Sequence, residues 1–253
     1  MNCYPMAELG LGELLKRTVK LHYLSLRYSV FCILLITITK FLGTSLPIFL
    51  KNTYLGWGMY IISGLIISFF YFSALLATHR AFTDAPKTIQ DAMKTIWDDK
   101  KRIYAVFLAY VGSIVALDYL MIGIIYLEDR LFPSVAVHGI TMLLLTAILL
   151  SFVAMFFFAH SIAVIEKKSF REIVRSSLIL GEKNKFGIFV LFAMLFIVVL
   201  LLAPNTMHEY YLSAYHLNPL YDFIVLSVLL PIYLNFTLLI INDSRQQMTV
   251  EEG

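Results

Sequence analysis

Few residues in this chain could do chemistry. Asp118 and Asn235 fall inside long apolar runs, His79 and His160 close two such runs, and His208, Glu209 and His216 share one short polar stretch. A charged side chain at the centre of a bilayer costs roughly 2.5–3.5 kcal/mol on insertion scales, so Asp118 must face other helices or a wet cavity. It reads either as a polar site for a proton-coupled step or as a helix–helix hydrogen bond near the outer interface. No base shares its run, so it forms no relay by itself. Asn235 stands four residues after Pro231. An amide in lipid needs a partner, and the proline frees a nearby carbonyl that could supply one. Asn235 then reads as structural glue or as a substrate contact.

His79 and His160, beside Arg80 and Lys167, could meet lipid phosphates or simply anchor helix ends. His208, Glu209 and His216 are metal-ligand types, but they lack the His-Glu-x-x-His helical spacing, and no metal is predicted. Neither a nucleophile elbow nor a glycine-rich phosphate loop is present, so no catalytic residue, enzyme activity or cofactor is expected. Asp222 begins an apolar run, where a helix N-terminus favours an anion.

Composition says what must position these groups. The 253 residues are 60% hydrophobic and 15% charged, with mean hydropathy +0.80. Ordinary soluble domains carry about 25% charged residues. Apolar stretches over residues 28–46, 54–78, 103–126, 135–165, 186–203 and 219–241 are each long enough to cross a bilayer, which takes about 20 residues. The fourth exceeds that length, and tilt would absorb the excess. Lys40 interrupts the first and should snorkel or face protein. No cleavable signal peptide is expected ahead of it. Cys3 and Cys32 make no disulfide framework and no metal pair.

Three short stretches precede the odd-numbered spans. Ser169 with Glu172 is a capping-box signature, followed by Phe170, Ile173, Val174, Ser177 and Leu178 on one helical face. Thr88 with Asp91 repeats it, with Ile89, Ala92, Met93, Ile96 and Trp97. Gly10 with Glu13 repeats it again, with Leu11, Leu14, Leu15, Thr18 and Val19. Lys16, Lys94 and Arg175 occupy one register, 78 and then 81 residues apart, and His79 and His160 keep the second spacing. The predicted fold is therefore an all-α integral membrane domain of six transmembrane helices. It forms three pseudo-threefold repeats over 8–78, 87–165 and 168–242, each an amphipathic interfacial helix plus a hairpin, with a polar tail over 243–253. Three unrelated surface helices are the competing reading.

Of the 20 lysines and arginines, all but Lys40, Lys51 and Arg130 lie on the side of the three short helices. The positive-inside rule puts that side, with both termini, in the cytoplasm. The bases flank spans rather than forming an extended patch, so nucleic acid is not an expected partner. Small-residue pairs, Gly64 with Ser68 and Gly112 with Ala116, predict close helix packing.

The layout resembles the YciC-like family of bacterial inner-membrane proteins. The residues that carry the likeness are Glu13-Leu-Leu-Lys16-Arg17, Asp91-Ala-Met-Lys94, and Ser169 to Leu178 leading into Phe186-Gly187. The resemblance implies a multi-pass protein of the bacterial inner membrane tied to envelope or lipid homeostasis, and it assigns no functional residue. Membrane lipids, and other inner-membrane or envelope proteins, are the expected partners. Three functions follow: a non-enzymatic organiser of lipid or envelope partners, with Lys16, Lys94, Arg175, His79 and His160 touching lipid; a small transporter or channel lined by Asp118 and Asn235; or a head-group enzyme using the histidines.

Overall fold

The computed structural model describes residues 10–50, 53–83, 88–131, 135–202 and 219–251. Every regular element among them is a helix: α1 Leu11–Lys20, α2 His22–Leu50, α3 Thr53–Phe82, α4 Ile89–Asp98, α5 Lys100–Leu131, α6 Val135–Phe156, α7 Ala159–Ile165, α8 Phe170–Leu202 and α9 Pro219–Glu251. Among the described residues four helices are long and apolar enough to cross a membrane, over His22–Gly43, Ile61–Phe82, Lys100–Glu128 and Asp222–Asp243. This is an all-helical membrane protein. The fifth expected crossing falls on the second half of α8, where most side chains lie outside the described set.

The chain forms two compact units, Met1–Asp99 with Val190–Gly253, and Lys100–Phe189. In the first unit each short helix packs chiefly on a long helix other than the one it feeds. There α4 lies against α3, and α1 lies against α9, the last helix of the chain.

In the first unit α2 packs along α3 and against α9. The buried face of α2 carries Ser25, Ser29, Cys32, Ile33, Ile36 and Thr37, at helical spacing. Two of its hydroxyls are satisfied locally: Ser29 Oγ donates to the Ser25 carbonyl at 2.7 Å and Thr37 Oγ1 to the Ile33 carbonyl at 2.9 Å. Such small residues let helices approach where lipid offers no hydrophobic drive for association. A close approach occurs at Gly43, where a β-carbon would stand 2.7 Å from Ser63 Cβ. The helix runs on through Gly43 and past the expected span end at residue 46, to Leu50. The expected small-residue contacts are elsewhere, since a β-carbon added at Gly64 or Gly112 would meet nothing within 4 Å.

In the second unit α5 packs against α6 and α7. The unbroken crossing expected over 135–165 is two pieces. Phe156 to Phe158 contain no glycine or proline, yet the chain turns at Phe157 and Phe158 and buries both rings, edge to face at 5.0 Å. Two more helix ends differ from expectation. The third short stretch is not a separate helix, since α8 runs on unbroken. The polar segment after Ile241 continues α9 to Glu251.

Candidate functional site

The three short stretches bury matching positions. Leu14 and Thr18 in α1, Ala92 and Ile96 in α4, and Ile173 and Ser177 in α8 are buried. Lys16, Lys94 and Arg175, each midway between such a pair, are exposed. The buried seam is narrower than the apolar stripe. Val19 is 55% exposed, Trp97 59% and Phe170 49%, so apolar side chains share the open surface with the bases.

Local chemistry sets each helix start. The Thr88 backbone N–H donates to the Asp91 carboxylate at 3.0 Å and the Asp91 N–H returns to Thr88 Oγ1 at 3.2 Å. At Ser169 the backbone N–H donates to Glu172 Oε2 at 2.9 Å and Oγ donates at 2.6 Å. Those two bonds hold the Glu172 carboxyl below its ordinary range, and the nearby Lys168 charge adds to them. Gly10 has no side chain to offer, and Glu13 instead pairs with Arg17 at 3.0 Å. From α3, Arg80 Nη2 donates to Thr95 Oγ1 of α4 at 2.9 Å, and Trp97 meets Phe69 edge-on at 6.3 Å.

The remaining candidates separate. His79 is half-buried in the last turn of α3. His160 is buried, and its ring stacks on Tyr110 at 6.2 Å and 29°. Its imidazole therefore faces the interior of the second unit. Asp118 lies on α5, with its side chain outside the described set, and His208, Glu209 and His216 also lie outside the described residues.

Asn235 is fully buried. Its Nδ2 donates to the Thr18 carbonyl at 2.9 Å, and Ser25 Oγ donates to its Oδ1. The partner is not a carbonyl freed by Pro231. It is the last turn of α1, where carbonyls lose their helical partners. A single amide thus secures the elbow between α1 and α2. Toward the other end of α2, Lys40 Nζ pairs with Asp222 Oδ1 at 2.7 Å. The lysine faces protein, and the aspartate has a cation as well as its helix end. Sequence reasoning missed both ties and the part played by Ser25. The row Ser25, Ser29, Cys32 was the available signal for a protein-facing stripe.

The second unit holds a cavity of about 210 Å³. Ala109, Tyr110 and Ser113 of α5, Phe156 of α6, and Phe170 and Val174 of α8 are among its walls. Ala109, Ser113 and Phe170 are also exposed, so the cavity opens sideways. On the adjoining linker Arg102 Nη1 donates to the Glu166 carbonyl, and Lys168 pairs with the Glu166 carboxylate at 2.7 Å. No protein-family model, curated protein or solved structure matches this chain.

Proposed function

We propose that this chain is a non-enzymatic, multi-pass protein of the bacterial inner membrane that organises anionic lipid, and through it envelope partners, with a collar of amphipathic helices on the cytoplasmic face. The carrying observation is the shared register of exposed Lys16, Lys94 and Arg175, set beside the exposed apolar Val19, Trp97 and Phe170. A helix that buries one narrow seam in protein and offers both apolar and basic groups outward suits the boundary between acyl chains and head groups. Each base near an anionic leaflet contributes about 1 kcal/mol of attraction.

In this reading six crossings form three repeats around one axis, with both termini in the cytoplasm. The packing of α1 on α9, in the manner of α4 on α3, supports such a closed order. The transporter reading is weaker, because Asn235 has spent its amide on Thr18 and Ser25 and is closed off from any path. The enzyme reading is weaker too, since His160 faces Tyr110.

The test is the combined replacement Lys16→Glu, Lys94→Glu and Arg175→Glu. With about 1 kcal/mol at stake per base, the ratio of phosphatidylglycerol to phosphatidylethanolamine carried through purification should fall severalfold. An unchanged ratio removes the collar's proposed role.

A further inference from the structure

The cavity of the second unit has a shape and a setting that the collar does not explain. Its deep wall is Ala159, which is buried, and its mouth is formed by exposed Ala109, Ser113 and Phe170. Ala109 and Ser113 are four apart on α5, so two small side chains lie one above the other and leave a trough. An apolar cavity of roughly 150 Å³ stays dry and takes up a hydrocarbon such as benzene. At about 210 Å³ this one has room for a longer piece of hydrocarbon. Phe170 and Val174, which close one side, belong to the first turns of α8. The intervening and flanking Lys167, Arg171 and Arg175 are exposed. Tyr110, whose ring stacks on His160, also lines the slot.

We infer that this slot retains a single anionic phospholipid, with one acyl chain between α5 and the start of α8 and its phosphate against Lys167, Arg171 and Arg175. Charge selects this occupant. A second copy of the chain would bring its own bases to the same place, whereas a phospholipid carries hydrocarbon and negative charge at the required separation. The inference rests on the proposed placement of α8's first turns at the cytoplasmic boundary. It adds a defined, slowly exchanging lipid to a collar that otherwise gathers lipid diffusely.

The test uses the full chain in mild detergent, with phosphatidylglycerol or phosphatidylcholine added and bound lipid counted by native mass spectrometry. The parent should keep one phosphatidylglycerol in preference to phosphatidylcholine. Ala109→Phe fills the trough and should weaken retention about tenfold, the effect of displacing roughly two buried methylenes. Equal retention of both lipids, or no change in Ala109→Phe, overturns the inference. Should that variant not fold, Phe170→Trp serves instead. Its added emission should be quenched by phosphatidylglycerol brominated on the acyl chain, and absence of quenching overturns the slot. Lys16→Glu with Lys94→Glu weakens the collar without touching the slot. An unquenched tryptophan with a collar still dependent on those bases removes the slot alone. A quenched tryptophan with a charge-insensitive collar removes the wider reading alone.

Discussion

The two units bury their crossings very differently. Of the 18-residue apolar stretch within each span, 33% is buried in His22–Gly43, 50% in Ile61–Phe82 and 56% in Asp222–Asp243, all in the first unit, against 6% in Lys100–Glu128 of the second. Yet Ile61–Phe82 and Lys100–Glu128 have equal mean hydropathy. Hydropathy therefore reports that a helix can cross, not what it faces. Lipid tails are as apolar as leucine, so close packing and polar ties decide which faces meet protein. The first unit has both, in the Gly43–Ser63 approach and in the bonds of Asn235 and Lys40. Along α5, by contrast, Leu108, Val115, Leu120, Ile122 and Leu127 stand exposed.

Breaking a tie in the first unit should have the largest effect. Asn235→Ala strands the Thr18 carbonyl and Ser25 Oγ and opens a void, for a loss of about 2–3 kcal/mol. Thermal unfolding in detergent measures it, and an unshifted midpoint would show that the amide is not what secures the elbow. Gly43→Ala sets two effects against each other. Alanine gains about 1 kcal/mol of helix propensity, but overpacking against Ser63 costs about 1–3 kcal/mol. The expected balance is a loss of about 1 kcal/mol, recovered when Ser63→Gly is added. Failure of that rescue would place the close approach elsewhere.

In the second unit the same assay should barely respond. Leu120→Ala, on the open face of α5, should stay within about 0.5 kcal/mol. A larger loss would mean that α5 is covered as α3 is, and the contrast between the units would collapse. The smallest effect is a pH effect at the start of α8. The folded Glu172 carboxyl titrates below its unfolded value, so its contribution is complete above the ordinary carboxylate range. That contribution is lost as pH falls through the folded value. Protection of the amides in the first turn of α8, after correction for the intrinsic pH dependence of exchange, should therefore fall on acidification, and Ser169→Ala should remove that fall.

What the sequence displayed was local. The helix starts at Thr88 and Ser169 were legible because a capping box joins residues three apart. The positions of Leu14, Ala92 and Ile173 were legible because helical period alone puts them on one face. What stayed hidden was long-range or lay in competition between local effects. Nothing near Asn235 points to Ser25, 210 residues away. Lys40 and Asp222 are each explicable alone, and only the packing of α2 on α9 joins them. The small-residue pairs misled because glycine permits close contact without requiring it, as Gly64 shows. The turn at Phe157 carries no breaker residue, so no local rule marks it. The slot arises where Ala109 and Ser113 meet Phe170 and Val174, and no periodicity in either segment announces the other.

The bond between Asn235 and the first elbow has a consequence for biosynthesis. A ribosome delivers α1 and α2 long before α9, and early segments begin to organise during synthesis. Until the final crossing is inserted, the Thr18 carbonyl and the Ser25 hydroxyl lack the amide that joins them. An elbow near residue 20 is thus completed by a side chain at residue 235. A chain terminated ahead of Pro219 would sit in the bilayer with that elbow open, a defect that surveillance proteases could recognise.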